Sequence, residues 1–314
     1  MATDLVPFPV RSVLAELECG HGTKLLRGVG ICHGSFGELL QGMDLRDDFL
    51  VTCPIDVHAR ASFCADPTEQ AVRVLPPGKT KTAQLANRFV GSMGLCGGAL
   101  ILSSELREGA GCSSSSADMV AAARAISATF GIEVPLHHVE TQMLDIEPTD
   151  GVMYDSCTLY RFRSTGFERD LGNLPPITLV ALDEGGSIDT QWVERSRQGY
   201  SIGDRLEFER LLARLTRAIA CRRIDEIGAV ATRSAEINES RFPKQSFSAM
   251  MDVAKAIAAH GLVTTHSGTG IALLLDRQAP GYQDQVSEAL ARMSRLQGDI
   301  KIYNSLEQGT GGAS

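Results

Sequence analysis

Residues 109–116 read Gly-Ala-Gly-Cys-Ser-Ser-Ser-Ser, and an alanine-rich run, Ala117 to Phe130, follows at once. Glycines let the backbone take turns that side chains disfavour. In the run, Met119, Ala122, Ile126 and Phe130 recur at helical spacing, and Gly131 stands where a C-terminal helix glycine belongs. Gly98 to Ser103 upstream reads as a buried strand. The unit is therefore strand, Gly/Ser loop, helix. Such a turn aims free N–H groups and the positive end of the helix dipole at one point, which suits a phosphate. No Gly-Lys-[Ser/Thr] follows, so it is not a Walker loop, and it lacks the third glycine of the dinucleotide fingerprint. Taken alone, the run fits an ordinary helix with a serine N-cap equally well.

The rest of the 314 residues supplies the frame. Short strands are predicted over 28–32, 49–54, 58–65, 71–75, 159–163, 177–182, 261–265, 270–276 and 299–303. Helices are predicted over 82–93, 135–146, 203–219, 223–238, 243–259 and 282–293. Their irregular interleaving favours an α+β fold over a doubly wound one. Pro175-Pro176 marks a boundary, giving domains 1–174 and 175–314, and the polar tail 308–314 reads as frayed. The formal charge of −8 argues against a nucleic-acid surface. No apolar stretch is long enough to span a bilayer and no signal peptide is visible, so no membrane role is expected. The eight cysteines form no C-x-x-C pair. They read as buried thiols of a cytoplasmic protein.

Three further segments join the loop. Cys32 to Gly42 reads CHGSFGELLQG, Glu147 to Gly151 reads EPTDG, and Thr265 to Gly270 reads THSGTG before the apolar run Ile271 to Leu275. With the loop, these resemble in order and spacing the motifs of the GHMP small-molecule kinase superfamily, over residues 32 to 275. G-E-L-x-Q-G, Cys53-Pro54-Ile55-Asp56, S-S-A-D and E-P-T-D are similar to its L-threonine kinase branch. His33 and Phe36 stand where that branch has Pro and Cys, which keeps other acceptors open. The resemblance implies an N-terminal half like domain 2 of ribosomal protein S5 and a ferredoxin-like C-terminal half. ATP and the acceptor would meet between them.

It also implies roles. Gly109, Ala110, Gly111, Cys112, Ser113, Ser114, Ser115 and Ser116 would hold the nucleotide. Ser115 aligns with a Mg²⁺-binding serine, with Ser114 as its neighbour. Glu147, which sits inside a matched motif, or Glu140 would add a carboxylate, although Glu140 reads more readily as a solvated helix carboxylate. Asp150 matches the acid that faces the acceptor hydroxyl and can take its proton; otherwise it is an Asp-Gly turn residue. Ser35, Glu38, Asp56, His266 and Gly268 fall on the acceptor side, and His58 reads as a structural hydrogen bonder. The implied reaction carries the γ-phosphoryl group of ATP to L-threonine, giving O-phospho-L-threonine for cobalamin synthesis. The alternatives are another hydroxylated metabolite, such as homoserine, serine or a modified amino acid, or an ATP-binding regulator without turnover. A homodimer is left open.

Overall fold

The computed structural model describes residues 26–186, 199–266 and 268–307. The N-terminal extension to residue 25, with Cys19, and the tail 308–314 lie outside the described residues, as does Ser267. The strands are β1 Arg27–Met43, β2 Asp48–Ala65, β3 Val72–Leu75, β4 Gly98–Ser104, β5 Cys157–Arg161, β6 Gly166–Gly172, β7 Ile177–Asp183, β8 Gly261–Thr264, β9 Gly270–Asp276 and β10 Asp299–Asn304. The helices are α1 Thr80–Ser92, α2 Ser114–Phe130, α3 Leu136–Leu144, α4 Ile202–Ala220, α5 Ile224–Asn238, α6 Phe247–Ala256 and α7 Tyr282–Met293.

One sheet runs through both halves in the order β10-β7-β9-β8-β1-β2-β4-β3, with β5 on β2 and β6 beyond it. The halves join where β1 meets β8, at Glu38 opposite Thr264. The first motif therefore lies within one long strand, where the sequence suggested only 28–32. Its pairing with β2 shifts register between His33 and Gly34, and again on both sides of Glu38. Such bulges re-aim side chains within a strand.

Alternation along β7 and β9 divides the core. Val180, Leu182, Ile271, Leu273 and Leu275 join Met250 and Met293 of α6 and α7. Leu179, Ala181, Ala272 and Leu274 face the larger cluster that includes α4 and α5. In the N-terminal half, α2 is buried along most of its length, and its alanines let it lie directly on β1 and β2. A Cβ on Gly30 would stand 2.1 Å from the carbonyl oxygen of Ala121.

Some expectations change. β6 was not foreseen. The helix expected over 243–259 is Phe247–Ala256. Gly131 ends α2 in the left-handed conformation, as expected, but Ser113 at its start makes no capping bond. Cys221 is exposed, unlike the buried thiols Cys32, Cys53, Cys112 and Cys157, because it follows the last turn of α4. Among the described residues no helix is long and apolar enough to cross a membrane.

Gly30→Ala is expected to destabilise the protein by about 1–3 kcal/mol, since backbone rather than a movable side chain occupies the space. Urea unfolding measures this. An unchanged midpoint would contradict the close β1–α2 contact.

Candidate active site

Three backbone segments meet behind the Gly/Ser loop. Gly37 N–H donates to Gly111 O at 3.1 Å. A Cβ on Gly111 would lie 2.4 Å from Thr265 Cβ, and one on Gly268 would lie 2.3 Å from Gly111 N. The turn 265–270 is closed by Thr265, whose N–H donates to Gly270 O while its hydroxyl accepts from Gly270 N–H at 2.8 Å. Gly109, Gly111 and Ser113 all have positive φ, at 80°, 78° and 58°. Left-handed residues recurring in a turn can align backbone N–H groups toward an anion, and α2 begins directly after them at Ser114.

Beside the loop, Ser115 Oγ donates to Glu147 Oε1 at 2.6 Å. The other oxygen of Glu147 is paired with Lys81. Lys79 holds both Glu108 and the buried Asp118, each at 2.5 Å. Burial pushes the Asp118 carboxyl up, with Lys79 opposing. Among the described residues there is no cluster of three His, Cys, Asp or Glu side chains arranged to hold a metal. One hydroxyl and one carboxylate nonetheless fit Mg²⁺, which keeps waters and takes phosphate oxygens.

Asp150 lies in the loop after α3. Burial, then the negative charge of Glu38, push its carboxyl up to about 7; Glu147 adds to this and a hydrogen bond with Ser113 opposes it. The Ser113 side chain thus serves Asp150 rather than capping the helix. Glu38 is itself buried and accepts from His266 Nδ1 at 2.6 Å. The Phe242 ring stands edge-on to the imidazole at 5.3 Å. His266 Nε2 is buried with no hydrogen-bond partner among the described residues.

The structure therefore brings together residues 109–116, Glu147, Asp150, Glu38, His266 and Gly268. It treats others differently. The Ser35 hydroxyl is buried between Gly37 O and Cys53 N–H, both at 2.9 Å, and stabilises the bulge of β1. Asp56 is 45% exposed and its charged neighbour is His58, at 3.8 Å. Glu140, expected to be a solvated alternative to Glu147, is buried instead and accepts from Phe167 N–H at 2.8 Å. Glycine at 166 leaves room for its carboxyl group. Cys112 is buried near the Tyr303 hydroxyl, and burial pushes its thiol up to about 11. His33 and Phe36 are both core residues: the imidazole lies between Gly34 O and Tyr154 O, and Phe36 packs on Tyr303. Sequence reasoning missed Lys79, Lys81 and Lys244. Asp118 stood in a quoted motif without a role.

Residues 80–155 match the model of the GHMP kinases N terminal domain. Over that segment the chain is similar to the GHMP kinase superfamily. The chain is 27% identical over 259 residues to a protein named L-threonine kinase from Salmonella typhimurium, covering 80% of this chain and 83% of that protein. It is 23% identical to the L-threonine kinase of Citrobacter freundii, covering 79% and 86%. In fold it is similar to the homoserine kinase of Cytophaga hutchinsonii, with a TM-score of 0.68, 13% identity, and 93% and 99% of the two chains covered.

A raised carboxyl pKa has a definite consequence for stability. Between the ordinary aspartate value of 3.8 and about 7, folded Asp150 keeps a proton that the unfolded chain has released. Stability from this group is therefore complete below that range and falls as pH rises through it. Asp150→Asn is expected to raise the melting temperature at pH 8 and to leave it unchanged near pH 3.5. Equal effects at both pH values would contradict the assigned ionisation.

Proposed function

We propose that the protein transfers the γ-phosphoryl group of ATP to the hydroxyl of a free amino acid, L-threonine, giving ADP and O-phospho-L-threonine. The observation that carries this reading is the juxtaposition of Asp150 with the loop through Ser113. The names of the two curated relatives support the acceptor. The core positions of His33 and Phe36 remove the reason for expecting those two substitutions to change it.

Phosphoryl transfer asks the protein to position two oxygens in line and to neutralise phosphate charge. The amides of 109–116 hold the triphosphate. Ser115 and Glu147 are the residues that would hold Mg²⁺, which supplies charge neutralisation when bound. The threonine oxygen forms a bond to the γ-phosphorus, the bond to the leaving ADP oxygen breaks, and the hydroxyl proton passes to Asp150. A carboxylate with a pKa near 7 suits that role at neutral pH.

Acceptor-dependent ADP release with Mg·ATP tests the reading across L-threonine, D-threonine, L-serine and L-homoserine. Strong stimulation by L-threonine is expected. The likeness in fold to a homoserine kinase makes L-homoserine the informative competitor, and stimulation by it alone would overturn the acceptor while keeping the phosphotransferase. Asp150→Asn is expected to lower kcat by about 10²-fold or more with little change in the KM for ATP. Glu147→Ala is expected to raise the Mg²⁺ concentration for half-maximal rate, with nucleotide binding in the absence of metal retained. An unchanged requirement would remove Glu147 from the metal site.

A further inference from the structure

Lys244 lies in the stretch between α5 and α6 and is 4% exposed. Its Nζ donates to Gly268 O at 2.9 Å, and among the described residues no carboxylate stands within ion-pair distance of it. An ammonium carries three N–H donors, and buried charges are ordinarily paired. The nearby acids are otherwise engaged. Glu239 accepts the Lys244 backbone N–H at 3.1 Å. Glu184 accepts the N–H groups of Gln245 and Ser246 at 3.2 and 2.6 Å. These bonds hold the backbone of the stretch, so the position of the ammonium is built rather than incidental.

Its surroundings say what it serves. Gly268, which receives its hydrogen bond, packs directly on Ala110 and Gly111, so this residue separates the ammonium from the phosphate loop. Glu38 is the common neighbour: its charge acts on Lys244 and on Asp150, and its carboxylate is bonded to His266. Burial pushes Lys244 down to about 8, with Glu184, Glu239 and Glu38 opposing, so it is still largely charged at neutral pH. His266 Nδ1–H donates to Glu38, and its buried Nε2 has no hydrogen-bond partner among the described residues; in the neutral imidazole that nitrogen is an acceptor. Among the described residues, a buried cation without a carboxylate partner and a buried imidazole nitrogen without a hydrogen-bond partner thus share Glu38 as a neighbour. A zwitterion supplies both.

We propose that Lys244 is the anchor for the α-carboxylate of the acceptor amino acid. The α-ammonium is then received by His266 Nε2 within the field of Glu38, and the hydroxyl is left for Asp150. The inference rests on the free-amino-acid reading above and assigns the residue that distinguishes an amino acid from a simple alcohol.

The test compares wild type, Lys244→Met and Lys244→Arg, with L-threonine and with L-threoninol, which lacks the carboxylate. Wild type is expected to prefer L-threonine by about 10–100-fold in kcat/KM, the range for one charge-assisted hydrogen bond. Lys244→Met should raise the KM for L-threonine by about the same factor and leave L-threoninol unaffected. ATP affinity measured by calorimetry should stay within about twofold, because no nucleotide contact is removed. Lys244→Arg should recover part of the loss. Equal losses for both acceptors, an unchanged KM for L-threonine, or lost ATP affinity in a folded variant would each overturn the assignment. If the Met variant does not fold, the wild-type preference and the Arg variant decide. If wild type ignores L-threonine, the acceptor reading fails on its own. The comparison is then repeated with the acceptor found: one lacking a carboxylate overturns Lys244 as well, and one whose KM rises in Lys244→Met upholds it.

Discussion

The site depends on three backbones approaching more closely than side chains permit. Gly37, Gly111 and Gly268 stand at the contacts, and a Cβ on any of them would meet neighbouring atoms at 2.5 Å or less. Packing at that distance fixes the Gly/Ser loop from behind. It also fixes what the segments carry. Glu38 comes with β1, His266 with the turn before β9, and Ser113 with the start of α2. Their meeting is a consequence of backbone contact rather than of attraction among the side chains, several of which carry like charge.

That like charge gives the site its chemistry. Glu38, Glu147 and Asp150 share one region, and burial together with the charges of Glu38 and Glu147 pushes the Asp150 carboxyl up. The lysines are distributed unevenly around them. Lys81 sits on Glu147, Lys79 on Glu108 and Asp118, and Lys244, among the described residues, on the carbonyl oxygen of Gly268. Carboxylates crowded without full compensation favour cationic ligands, while the loop favours polyphosphate. A nucleotide with a divalent cation and a zwitterionic acceptor satisfies both demands.

Much of this was legible in the sequence, for identifiable reasons. The loop and α2 could be read because glycine marks backbone conformation and alanine marks a closely packed helix, both local properties. The four motifs gave Asp150, Glu147 and Glu38 by resemblance. Bulges were less visible: the strand expected over 28–32 continues to Met43, and its register slips between His33 and Leu40. Ser113 had the composition of a cap, but its left-handed backbone turns its hydroxyl to Asp150. Glu140 looked solvated because helix carboxylates usually are; the space left by Gly166 that buries it is visible only in three dimensions. Lys79 and Lys81 reach the site from the start of a helix over thirty residues upstream of Ser115, and no spacing rule encodes that approach. Lys244 fell inside the expected helix 243–259, whereas it lies in the stretch before the helix that forms, Phe247–Ala256.

The central claim is that burial, reinforced by the charge of Glu38, raises the Asp150 carboxyl to a value that suits the proposed base at neutral pH. Carboxyl ¹³C NMR of the metal-free protein measures this directly, by titrating Asp150 in wild type and in Glu38→Gln. The account predicts a wild-type midpoint near 7 and a lower one when the Glu38 charge is removed. A midpoint in the ordinary aspartate range, unmoved by Glu38→Gln, would contradict it.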